Sequence, residues 1–117
     1  GELAGQGFKV IGDGGANVGT VLSSEITDWS SYDLSDHSVK LTINGADAIK
    51  GNVSVLVWDH VFDALSWGLE PPALSPRGLK ARDLVMTGTC TGMTPLSPGD
   101  EAVGDFGPMG EVRARFV

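Results

Sequence analysis

The chain has 117 residues, 41% of them hydrophobic and 17 of them glycine, with 15 acidic side chains against 8 lysines and arginines and a formal charge of −7. This length allows one domain built on one core, and the acidic balance without a basic cluster speaks against nucleic acid and against an anionic membrane surface. The longest apolar run, Val55 to Trp58, falls far short of the ~20 residues that cross a bilayer.

One cysteine, Cys90, cannot close an internal disulfide, which fits a reducing compartment, and the expected location is the cytoplasm. The chain opens at Gly1 rather than Met and is read as a processed end or a cloning remnant.

In chain order, "GDGGANVGTVLSSE" (12 to 25) reads as a glycine-rich loop running into a strand at Gly19 to Ser23, with Val21 and Leu22 as its apolar content. "TDWSSYDLSDHS" (27 to 38) is polar and turn-rich. Val39, Leu41 and Ile43 then alternate with Lys40 and Thr42, and Asn44-Gly45 supplies the positive backbone angles of a hairpin turn that continues through Ala46 to Lys50. Val53 to Val57 is a further candidate strand. Trp58, Val61, Phe62, Leu65 and Leu69 fall on one helical face, with Asp59 placed to cap it, Gly68 to end it and Pro71-Pro72 to forbid its continuation.

"EPPALSPRGLKARD" (70 to 83) is a connection, Leu84 to Thr87 a short strand, Ser97 to Asp100 a turn and Ala102 to Phe106 a strand. Finally Val112, Ala114 and Phe116 alternate with Glu111, Arg113 and Arg115, the pattern of a half-buried strand with a charged outer face. Six or so strands and one helix predict an α+β, mostly β domain over residues 1–117, with no internal repeat.

The residues by themselves carry little chemistry. "GDGGANVG" lacks the strand-before, helix-after context of a nucleotide loop, so it reads as a tight loop whose backbone Asp13 and Asn17 hold. Cys90 with His37 or His60 would be the minimum for a thiol nucleophile, but no context fixes their geometry, and a small inert thiol is the favoured state. His60 reads as a packing or capping residue and His37 as an exposed turn residue. Glu25/Asp28 and Asp33/Asp36 lack calcium-loop spacing and read as solvated surface. Trp29, Trp58 and Trp67 read as core or interface anchors rather than a ligand-stacking box. What remains is two polar glycine-rich loops as candidate site walls.

Taken together, "GDGGANVGTVLSS", "LTINGADAIKG", "DHVFDALSW" and "LKARDLVMTGTCTGMTPLSPGDEAVGDFGPMGEVRARFV" resemble the fumarylacetoacetate hydrolase superfamily, in its branch of 2-keto-4-pentenoate and 2-oxohept-4-ene-1,7-dioate hydratases. The ordered run of T-G, T-G, P-G-D, D-F-G and G-x-V-x-x-x-F carries the likeness, over about residues 7 to 117 and the C-terminal half of a family member.

The resemblance implies a mixed β roll with one main helix and a pocket for a small 2-oxo acid. In the family a magnesium or manganese ion, held by a Glu-x-Glu pair and a further acid, stabilises the enolate while water adds to a conjugated double bond. Those ligands belong upstream of the stretch matching Gly12, and no Glu-x-Glu occurs in this chain, so no cofactor and no catalytic residue is expected within it.

The same resemblance assigns Asp13 and Asn17 to the pocket-lining loop. It assigns Thr87, Gly88 and Thr89 to the strand-end motif whose hydroxyl and N–H groups approach the substrate carboxylate. It makes His60 structural and Cys90 a position without a role. Two functions follow as expectations. One is a hydratase-like module that supplies a pocket wall and is not an enzyme alone. The other is a stand-alone, non-enzymatic homo-oligomer that binds a small carboxylate or serves structure. In either case half a β fold leaves strand edges and apolar surface uncovered, which predicts self-association.

Overall fold

The computed structural model describes residues 19–56, 59–70 and 78–117. Among these, four strands form one open antiparallel sheet: β1 (Ser38–Ile43), β2 (Ile49–Asn52), β3 (Glu101–Asp105) and β4 (Glu111–Arg115), in the order β2-β1-β3-β4. One α-helix, α1 (Val61–Leu69), lies off the sheet. The α+β class with one main helix stands, and the described strands make an open antiparallel sheet.

The register sorts the sheet into two faces. Val39 pairs with Gly51, Leu41 with Ile49 and with Gly104, Ile43 with Ala102, Gly104 with Val112, and Ala102 with Ala114. Opposed residues of an antiparallel sheet share a face, so one side carries these apolar residues. The other carries Lys40, Lys50, Glu101, Asp105, Glu111, Arg113 and Arg115. Val39, at the centre of the apolar side, is 5% exposed and is the one fully buried residue among those described. No helix among the described residues covers this face. Instead the irregular segments around Val21 and around residues 88–91 lie over it, bounding hollows against the sheet.

The Asn44-Gly45 turn forms as expected, with φ of 52° and 70° and an Ala46 N–H to Ile43 carbonyl bond of 2.9 Å. That turn would set Leu41 opposite Ala48, yet Leu41 pairs with Ile49. One extra residue is therefore accommodated between turn and ladder, and β2 begins at Ile49 rather than Ala46. Asn44 also fastens the hairpin to β3. Its side-chain amide donates to Asp100 Oδ1 at 2.7 Å, its Oδ1 accepts from the Glu101 N–H at 2.9 Å, and its own N–H reaches the Glu101 carbonyl at 2.8 Å. The Ser97 to Asp100 turn forms beneath this clamp, closed by the Asp100 N–H to the Ser97 carbonyl.

Several expected elements differ. Gly19 to Ser23 and Leu84 to Thr87 are not strands; they meet through Thr20 Oγ1, 3.9 Å from Met86 Sδ, without a backbone ladder. Apolar content makes a strand only when a neighbouring main chain accepts its hydrogen bonds, and the described residues offer none there. At the proposed strand from Val53, the chain turns into a 3-10 helix (Val53–Val55), because Asn52 Oδ1 takes the Ser54 N–H at 2.8 Å. Position 57 lies outside the described residues, as do Trp58 and Pro71-Pro72.

The cap of α1 is His60, not Asp59: its Nδ1 accepts the Phe62 N–H at 3.0 Å. Gly68 lies inside the last turn, and the helix closes at Glu70. Of the tryptophan expectation, core or interface anchors, the core alternative does not hold for Trp29, 50% exposed, or Trp67, 48% exposed. Trp29 nonetheless meets Phe62 edge to face, with ring centroids 5.3 Å apart, and so ties the helix to the segment before β1.

Candidate functional site

Residues 88–92 form a loop held by its own glycines and by one hydroxyl. Gly88 has φ +133°, so glycine is required by conformation, and a Cβ there would also press on Leu56 Cδ2 at 3.0 Å. Gly92, at φ +74°, lets the chain turn back, and Thr89 Oγ1 donates to the Gly92 carbonyl at 2.9 Å.

This loop passes directly over β2 at Gly51. A Cβ on Gly51 would run into the carbonyl group of Cys90 and come within 2.9 Å of Thr91 Cγ2. Gly51 has no positive φ to explain it; the reason for glycine is the backbone that crosses it.

Between loop and sheet is a hollow of about 280 Å³, with Val39, Leu41, Gly104 and Val112 in its floor and residues 88–91 in its wall. Lys40 and Arg113 also border it, but their strand positions direct their side chains to the opposite face. The floor is therefore apolar and the polar groups belong to the loop. With the Thr89 hydroxyl proton engaged by Gly92, the donors left to the loop are the Thr91 hydroxyl and main-chain N–H groups, and none of those N–H groups finds a main-chain acceptor among the described residues. Such an arrangement can hold a small anion by its carboxylate while an apolar chain rests on the sheet.

The expected site residues are only partly brought together. Gly88 and Thr89 line the sheet hollow, but Thr87 faces another hollow, of about 450 Å³, between α1 and residues 79–87, beside Val61, Phe62, Leu65 and Val85. Asp13 and Asn17 lie outside the described residues. Gly51 and Thr91 are the site residues that the sequence reading missed; the signal for Gly51 was a lone glycine inside a strand, in "AIKGN".

Cys90 is half-buried, and burial pushes its thiol up from the ordinary value, the opposite of what a nucleophile needs. Both histidines are committed elsewhere. His60 caps α1. His37, expected to be an exposed turn residue, is half-buried, with Nε2 2.7 Å from the Phe106 carbonyl and its ring edge-on to Tyr32. Among the described residues no three histidine, cysteine or carboxylate side chains converge as a metal would require. The donor set does not fit a divalent ion there, and no step is assigned through one.

The family model described as "Fumarylacetoacetate (FAA) hydrolase C-terminal" matches residues 4–117. The chain is similar to the 2-oxo-hept-4-ene-1,7-dioate hydratase of Escherichia coli, with 29% identity over 110 residues, covering 94% of this chain. It spans 41% of that relative's length. No solved structure matches significantly.

Proposed function

The chain belongs to the fumarylacetoacetate hydrolase family, and from that premise we propose that it supplies one wall of a small 2-oxo acid pocket and is not an enzyme by itself. The observation that supports this reading is the crossing of the 88–91 backbone over Gly51, with the Cys90 carbonyl nearest Gly51, which brings the loop main chain over an apolar floor. In the proposed complex the ligand carboxylate meets the N–H groups of residues 88–91, and its carbon chain lies toward Val39 and Leu41. The similarity to a hydratase supports a 2-oxo alkenoate as the substrate class. The mixed β roll of the family, the Asp13 and Asn17 loop as a second wall, and a cytoplasmic setting belong to the same proposal.

The metal-bearing carboxylates of the family chemistry have no counterpart in a Glu-x-Glu here. Calorimetric titration of pyruvate or oxalate into the chain, with and without magnesium, tests the reading. Weak binding that magnesium leaves unchanged is the expected result; tight, magnesium-dependent binding would show a metal site within these residues and overturn it.

A second reading is favoured by the exposure of Leu22, Leu84, Met86 and Met93, each more than 60% accessible. In it the chain is a non-enzymatic homo-oligomer that binds a small carboxylate. Self-association is expected under both readings, and the second requires it, so sedimentation tests the second. A stable oligomer that binds oxalate without turning over any 2-oxo alkenoate supports the second, and a monomer opposes it.

A further inference from the structure

The geometry points to β4 as a self-pairing edge, through which two copies of the chain join antiparallel into one eight-stranded sheet. β4 is at the end of the sheet order, with no strand beyond it among the described residues. Which of its backbone groups face outward follows from the ladder. The Phe106 N–H bonds the Gly110 carbonyl, and the Phe116 N–H bonds the Asp100 carbonyl. Hydrogen-bonded pairs alternate along an antiparallel ladder, so Val112 and Ala114 also spend their N–H and C=O on β3. Glu111, Arg113 and Arg115 therefore present theirs to the open edge.

A two-fold axis at Arg113 pairs all three outward-facing residues at once. Arg113 then stands opposite its own copy, Glu111 opposite Arg115 of the second copy, and Arg115 opposite Glu111. Opposite charges meet at both ends of the seam. The central Arg113 pair is neutralised within each copy, since Nη2 lies 2.9 Å from Glu111 Oε1 and Nη1 3.5 Å from Glu101 Oε1. On the other face Val112 meets Ala114 of the second copy, which continues the apolar surface across the seam. An isologous contact of this kind closes after two subunits.

The far edge of the sheet offers no such match. β2 is Ile-Lys-Gly-Asn, with Lys50 and no carboxylate, a charge pattern that guards an edge.

The test is a charge-swap cycle on the full chain, read by sedimentation, with circular dichroism to verify folding. The unaltered chain should dimerise. Glu111→Arg and Arg115→Glu each set like charges opposite at both ends of the seam and should raise the dissociation constant about tenfold. Mixing the two variants should restore dimerisation, because positions 111 and 115 of one then face the opposite charge at positions 115 and 111 of the other. A monomeric unaltered chain would overturn the proposal, and so would a dimer insensitive to both substitutions or variants that fail to rescue each other when both are folded.

Discussion

Gly51→Ala is the sharpest perturbation of the loop over the sheet. In an open strand, replacing a glycine that has ordinary backbone angles stabilises a protein by about 0.5–1 kcal/mol, because the unfolded chain loses freedom. Here the new methyl would occupy the space of the Cys90 carbonyl and press on Thr91 Cγ2 at 2.9 Å. Backbone cannot swing aside as the end of a side chain can, and forced overpacking costs about 1–3 kcal/mol. The net expectation is a loss of about 1–2 kcal/mol, or a fall in Tm of about 4–8 °C for a domain near 100 residues. Urea denaturation followed by circular dichroism measures the loss, and amide hydrogen exchange at residues 88–92 locates it. A variant as stable as the parent, with unchanged protection in the loop, would refute the crossing.

Asn44→Ala removes two side-chain hydrogen bonds and places a Cβ-bearing residue with little left-handed tolerance at φ 52°. A loss of about 2–3 kcal/mol is expected in the same denaturation assay, while Asn44→Gly, which keeps the turn and loses only the bonds, should cost less. His60→Ala should cost about 1 kcal/mol by uncapping α1, and His60→Asn should recover most of it. Two carboxyls report on pH. The Ser35 hydroxyl and N–H hold Asp33 below the usual carboxylate range, and the Asn44 amide and the Ser97 N–H do the same for Asp100. A depressed folded pKa gives stability that is present above the unfolded value, near 3.8, and lost as pH falls through the folded one. Carboxyl NMR titration should place both midpoints below 3.8, and a midpoint at or above it for either would contradict the turn geometry.

The strands that sequence located are those whose alternation and turn chemistry agree. Val39 to Ile43 ends in Asn44-Gly45, and Val112 and Ala114 alternate with charges just after a glycine-bounded turn. Alternation fixes a face, and the turn fixes where it pairs. Gly19 to Ser23 and Leu84 to Thr87 have apolar residues but no partner main chain in the described fold, and no local pattern reveals a missing partner. The helix was legible from Val61, Phe62, Leu65 and Leu69, whereas its cap was not, because a histidine beside an aspartate is the weaker capping residue by preference. At the site, the T-G motif directed attention to the right loop, but Thr87 and Thr89 end up in different hollows because Gly88, at φ +133°, turns the chain between them. The crossing at Gly51 joins segments about 40 residues apart in sequence, a contact that no local spacing encodes.

The measurement that tests the pocket wall most directly is amide chemical-shift mapping with oxalate. The account predicts the largest shifts at Gly88, Thr89, Cys90 and Thr91, smaller ones at Val39, Leu41 and Gly51, and little change along α1. Shifts that cluster at the hollow between α1 and residues 79–87, or that spare the loop while the chain binds, would contradict it.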